Sequence, residues 1–188
     1  MPFPVVYDAC VLYPAPLRDL LVRLSLSGLC QARWTRRILD ECFRAISRQR
    51  PELETARLAK TRRLLEAAIP DVQVEGHEDL IDGIRGLPDA DDRHVVAAAI
   101  RCGAQVIVTF NLRDFPAGVL DRYEMEAQHP DDFVRDLIGL NEARVGQLIL
   151  AQAASLKNPP KTPAELLERL HDNGLPVSAA RIRQLLGV

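Results

Sequence analysis

The chain has 188 residues, 47% of them hydrophobic, and a net charge of -2, which suits one well-packed domain with a small appendage. Its cysteines, Cys10, Cys30, Cys42 and Cys102, form no CxxC pair, and His77, His94, His129 and His171 show neither HExxH nor Cys/His ligand spacing, which argues against a zinc site. No secretory leader is visible and no apolar run approaches the ~18 residues of a membrane span, so the expectation is a reduced, cytoplasmic protein without membrane contact, its thiols serving as small core hydrophobes.

In chain order, short apolar runs alternate with longer periodic ones, the α/β signature. The run PVVYD (4–8) predicts a first strand, and PLRDLLVRLSLSG (16–28) a helix closed by Gly28. A helix over 35–50 starts at a Thr35 cap and stops before Pro51, and another over 51–69 places Pro51 at its first position. VQVE (72–75) predicts a second strand. A helix opening near Pro88 and ending at Gly103 leads into AQVIVTF (104–110), apolar on both faces as a central parallel strand must be. From about Asp131 only helical patterns remain, among them one with Thr162 as cap, Pro163 at its first position and Glu165 completing a capping box. The expected organisation is an α/β/α domain over residues 1–130 and an all-helical extension over 131–188.

The small net charge conceals an asymmetry. Between Arg33 and Arg63 ten Lys and Arg face four acids, a local balance of +6. Arginine outnumbers lysine 21 to 3, and guanidinium forks suit phosphate contacts. A solvated helix surface accounts for the run equally well.

The acids fall at particular places. Asp8 is the polar end of the first strand, and Asn111 that of the late strand, with Asp114 three residues on. Asp89 can cap the helix after Pro88, while Asp92 shares a helical line with Val95, Val96 and Ala99 and so faces the apolar side. Capping explains Asp89 and leaves the direction of Asp92 unexplained. Glu41 lies at the edge of the apolar arc of its helix, where an ion pair with Arg37 or Arg44 is the competing account. Strand ends and adjacent helix starts of an open parallel sheet form the ligand crevice, so these acids can converge on one rim. Crowded carboxylates shift their pKa values upward or take up a cation, and oxygen donors without Cys or His favour Mg²⁺ or Mn²⁺.

In this order, VVYDACVLYP, ILDECFRAI, DADDRHVVAAAI and VIVTFNLRDFP resemble the PIN domain, in particular the ribonuclease toxins of VapBC toxin-antitoxin pairs, over residues 4 to 130. The resemblance implies an α/β/α sandwich and a Mg²⁺- or Mn²⁺-dependent cut in RNA. It assigns Asp8, Glu41 and Asp92 to the catalytic acids. The usual fourth acid, two residues after Thr109, is here Asn111, which has no charge to offer a metal; Asp114 is the candidate substitute and Asp89 an outer carboxylate. Thr109 and arginines of the basic stretch, Arg37 and Arg44 among them, would hold the RNA backbone. The resemblance further implies an antitoxin partner that covers the acidic cleft, and a homodimer.

Other functions fit less well. A haloacid-dehalogenase-type phosphatase needs an aspartate where Cys10 stands, and a receiver-type phosphoacceptor needs a late lysine that is missing after VIVTF. The alternative from another class is a nucleic-acid-binding regulator: residues 163–186 read as two short helices about a Gly-containing turn, with Arg181 and Arg183 on the second.

Overall fold

Four short strands, β1 (Pro4–Tyr7), β2 (Gln31–Arg33), β3 (Val106–Val108) and β4 (Glu126–Gln128), run parallel in the order β2-β1-β3-β4. The computed structural model describes residues 2–188. Val5, Val6 and Tyr7 of β1 and Ile107 and Val108 of β3 are fully buried. Successive strand residues point to opposite faces, so both faces of the sheet centre are covered, which is why these strands read as unbroken apolar runs. The register pairs Val5 with Val106 and Tyr7 with Val108 on one side, and Val5 with Ala32 on the other.

The helices are α1 (Ala9–Leu12), α2 (Ala15–Leu26), α3 (Arg36–Gln49), α4 (Thr55–Ala68), α5 (Glu78–Ile81), α6 (Arg93–Cys102), α7 (Ala117–Leu120), α8 (Pro130–Leu140), α9 (Glu142–Ser155), α10 (Pro163–Asp172) and α11 (Pro176–Leu186). The chain leaves β1 toward β2 and returns across it to β3 on the other side. The order therefore switches between β1 and β3, and the carboxyl ends of these two strands open a crevice. Asp8 follows β1 directly and Thr109 follows β3. No helix among the described residues is long and apolar enough to cross a membrane.

The predicted elements hold in the main, with instructive departures. The segment 72–75 is no strand: its contact with the sheet is a single bridge between Gln73 and Trp34, closed by Trp34 N donating to Val72 O at 3.1 Å and Val74 N to Trp34 O at 2.8 Å. Pro51 does not open the following helix. The chain turns at Arg50, whose carbonyl accepts from Leu53 N at 3.0 Å, and α4 begins at Thr55. The strands β2 and β4, three residues each, and the one-turn helix α1 were too short for periodicity to reveal. Thr35, Gly103 and the Thr162–Glu165 capping box act as expected.

Residues after 130 are helical and pack directly on the sheet domain. Phe133 of α8 meets the Tyr7 ring edge-on at 6.1 Å, and Gln152 of α9 donates to Pro16 O at 2.9 Å. Asp131, buried in α8, accepts from Val177 N at 3.0 Å and Ser178 N at 2.8 Å, so its carboxylate caps α11 from across the fold. The turn between α10 and α11 presses on the sheet rim. Gly174, at φ +93°, lies so close to Phe110 that a Cβ would come within 2.6 Å of the ring.

Candidate active site

Asp8 is nearly buried and is held from three sides. Ala9 N donates to its Oδ1 at 2.6 Å, while the Thr109 hydroxyl at 2.7 Å and the Cys10 thiol at 3.2 Å donate to Oδ2. Thr109 Oγ1 in turn accepts from Asn111 N at 3.0 Å, and Cys10 Sγ accepts from Phe110 N at 3.3 Å. The end of β1 and the end of β3 are thus laced together through one carboxylate. Burial, and then the charge of Asp8, push the Cys10 thiol up to about 12. It stays protonated, which makes it a donor to Asp8 rather than a nucleophile or a metal ligand.

Glu41 projects from α3. Its Oε1 accepts from Arg37 Nε at 3.0 Å and lies 3.2 Å from Nε2 of His94, a fully buried residue of α6. Partial burial alone would raise the Glu41 pKa, but His94 and Arg37 together hold it below the ordinary carboxylate value. Among the described residues Oε2 has no hydrogen-bond or ion-pair partner, so one oxygen remains available. Arg37 also donates to Asp91 O at 3.2 Å. The ion-pair account of Glu41 is therefore correct for Arg37 and not for Arg44, which is exposed and makes no such pair.

Asp92 is different again. The turn Ala90–Asp92 is capped by Asp89, whose Oδ1 accepts from Asp91 N at 2.8 Å, whereas Asp92 precedes α6 with no capping bond from its side chain. Its carboxylate has no hydrogen-bond partner or ion pair among the described residues. Desolvation, followed by the charges of Asp8, Asp114 and Asp89, raises it from 3.8 to about 6. This places Asp8, Asp114 and Asp89 within electrostatic reach of Asp92.

A cleft of about 440 Å³ is lined by Asp8, Cys10, Glu41, Asp92 and Asn111 among others, with the Tyr13–Gln49 hydrogen bond on its wall. Among the described residues, no three Asp, Glu, His or Cys side chains close to the spacing of a finished metal cage. The arrangement is an open rim whose carboxylates stand apart. Its donor set still fits a hard divalent cation: Asp92 is unpartnered and disfavoured as an anion, Glu41 keeps a free oxygen, and the one thiol present stays protonated. Asn111 lines the cleft, Asp114 acts on Asp92 through charge from the next turn, and exposed Asp89 has one oxygen engaged in capping.

A family model described as a PIN domain matches residues 4–113, more than half of the chain. The chain belongs to the PIN-domain family. A second model, described as the VapC50 C-terminal domain, matches residues 130–184. A relative from Mycobacterium tuberculosis (strain ATCC 25618 / H37Rv), described as "Putative ribonuclease VapC50", is 42% identical over 110 residues. The match covers 58% of this chain and 63% of that relative, so it spans less than two thirds of the relative's length. No solved structure matches the chain.

One expectation for this PIN domain needs correction. Thr109 is fully buried and its hydroxyl is engaged by Asp8 and Asn111, so it offers no surface to RNA and acts as a positioning residue for Asp8. Two contributors escaped the sequence reading. Cys10 is a donor to Asp8 rather than a core thiol, and the signal was its place two residues after a strand-end aspartate. His94 sits two residues after Asp92, and helical spacing puts it on the buried side toward α3. Its Nδ1 is buried without a partner, so Nε2 carries its single polar contact, to Glu41.

Proposed function

We propose that this PIN-domain protein is a divalent-metal-dependent endoribonuclease, the toxin of a VapBC-type pair. The observation that carries the proposal is the convergence of Asp8, Glu41 and half-buried, unpartnered Asp92 on one cleft at the sheet's switch point. Asp8, Glu41 and Asp92 would hold Mg²⁺ or Mn²⁺, with Asn111 or Asp114 completing the set and Asp89 outside it. Such an ion lowers the pKa of bound water and neutralises charge that develops on the phosphodiester. Thr109 and Cys10 hold the Asp8 carboxylate in its orientation by donating to Oδ2. Arg37 and His94 do the same for Glu41. No Ser, Cys or His serves as nucleophile.

The implied partners are an RNA substrate, an antitoxin that covers the acidic cleft, and a second copy of the chain; the implied location is the cytoplasm. Residues 1–130 would carry the chemistry, with the helices after 131 as an extension. The regulator reading is disfavoured by the engagement of its cations: Arg181 pairs with Glu142, and Arg183 donates to Ala164 O at 3.3 Å.

The test is RNA cleavage by partner-free protein with Mg²⁺, with Mn²⁺ and with EDTA, comparing the wild type with Asp8→Asn. Cutting should require both the metal and Asp8. Cleavage that survives EDTA, or survives Asp8→Asn in a folded protein, would overturn the assignment.

A further inference from the structure

A second groove, of about 430 Å³, opens beside the acidic cleft, and Tyr13 lines both. Its walls come from the start of α2, from α3 and α4, and from α10 of the helical extension. The contrast with its neighbour is one of charge: Arg18, Arg50, Arg57 and Arg169 line it and no Asp or Glu does. The four differ in availability. Arg18 is bound to the carbonyls of Leu12 at 2.6 Å and Tyr13 at 3.2 Å, and so shapes the loop that carries Tyr13. Arg50 pairs with Glu52. Arg57 and Arg169 are exposed, and among the described residues neither side chain has an ion-pair or hydrogen-bond partner.

We propose that this groove is the approach track for the RNA strand, and that Arg169 of the helical extension and Arg57 of α4 hold backbone phosphates flanking the cut. The inference rests on the nuclease reading of the cleft and adds to it a role for the extension in substrate binding. Three observations favour a nucleic acid strand. The acid-lined cleft repels a polyanion, so the strand must be gripped next to it. The groove shares a wall residue, Tyr13, with that cleft. An aromatic side chain, half-buried Tyr13, lines the groove together with the cations, the combination that takes a base on one side and phosphates on the other. The position of α10 is also firm, because Gly174 at its end is packed against Phe110, next to Asn111 of the cleft.

The test uses a short fluorescein-labelled single-stranded RNA of mixed sequence. Its binding is measured by anisotropy in EDTA across a salt series, and its cleavage with Mg²⁺, for wild type, Arg57→Glu, Arg169→Glu and the double variant. Arg122→Glu is the charge control, since Arg122 lies in the turn feeding the amino end of β4, at the opposite edge of the sheet. Each groove substitution should weaken binding about tenfold near 0.1 M salt and flatten the log–log salt slope by ~0.7 per lost phosphate contact. KM should rise, with kcat little changed. Arg122→Glu should bind as wild type does. Wild-type affinity, salt slope and KM in the folded double variant would overturn the track while leaving the nuclease reading intact, and the groove would then suit an acidic protein segment. A wild type that neither binds nor cuts RNA overturns both.

Discussion

Asp92→Asn isolates the electrostatics of the cleft from its packing, because the carboxylate it replaces makes no hydrogen bond to the described protein. Raising a carboxyl from 3.8 to about 6 corresponds to about 3 kcal/mol of preference for the protonated form. Water on the open side of the cleft screens part of this, leaving roughly 1–1.5 kcal/mol. The sign follows from where the proton is held more tightly. The folded-state pKa lies above the unfolded one, so the stabilising contribution is complete below about pH 4 and lost as pH rises through about 6. In EDTA, Asp92→Asn should therefore melt with the wild type near pH 4.5 and above it at pH 8, by about 2–6 °C for a chain of this length. Mg²⁺ is expected to raise the melting temperature of the wild type, and the same variant should lose both that rise and cleavage. Melting curves at both pH values, with and without the ion, decide the matter. A variant that melts at or below the wild type at pH 8 would refute desolvation and neighbouring negative charge as the state of Asp92.

Thr109→Val removes a buried hydroxyl that donates to Asp8 at 2.7 Å and accepts from Asn111 N at 3.0 Å. A hydrogen bond to a charged group is worth about 1.5–3 kcal/mol, so kcat should fall about tenfold or more in a protein that still folds, with recovery in Thr109→Ser; an active Thr109→Val would remove the positioning role. Asp131→Ala takes both side-chain acceptors from the start of α11 and should cost about 2–3 kcal/mol, a drop of roughly 5–10 °C in melting temperature by calorimetry. An unchanged melting temperature would mean that α11 docks without its cap.

Much of this protein follows from sequence because its signals are local. The β-branched runs of β1 and β3 must be buried on both faces, Thr35 and the Thr162–Glu165 box mark helix starts by satisfying free N–H groups, and an aspartate ending a parallel strand must lie at the crevice. The acids Asp8, Glu41 and Asp92 were legible for the same reason, through their places at a strand end, a helix edge and a helix start. Short elements were not: β2, β4 and α1 gain their stability from neighbours rather than from their own pattern, and 72–75, which alternates like a strand, meets the sheet only through Trp34. Only the tertiary structure decided which acids are engaged and which stand alone, since that depends on His94 crossing to Glu41, on Cys10 and Thr109 reaching Asp8, and on Asp92 finding no partner. It also decided that the helical extension lies beside the cleft, through contacts as remote as Asp131 with α11 and Gly174 with Phe110. Periodicity and capping act within a few residues along the chain, whereas charge repulsion, desolvation and steric fit depend on distances in space that only the packed core sets.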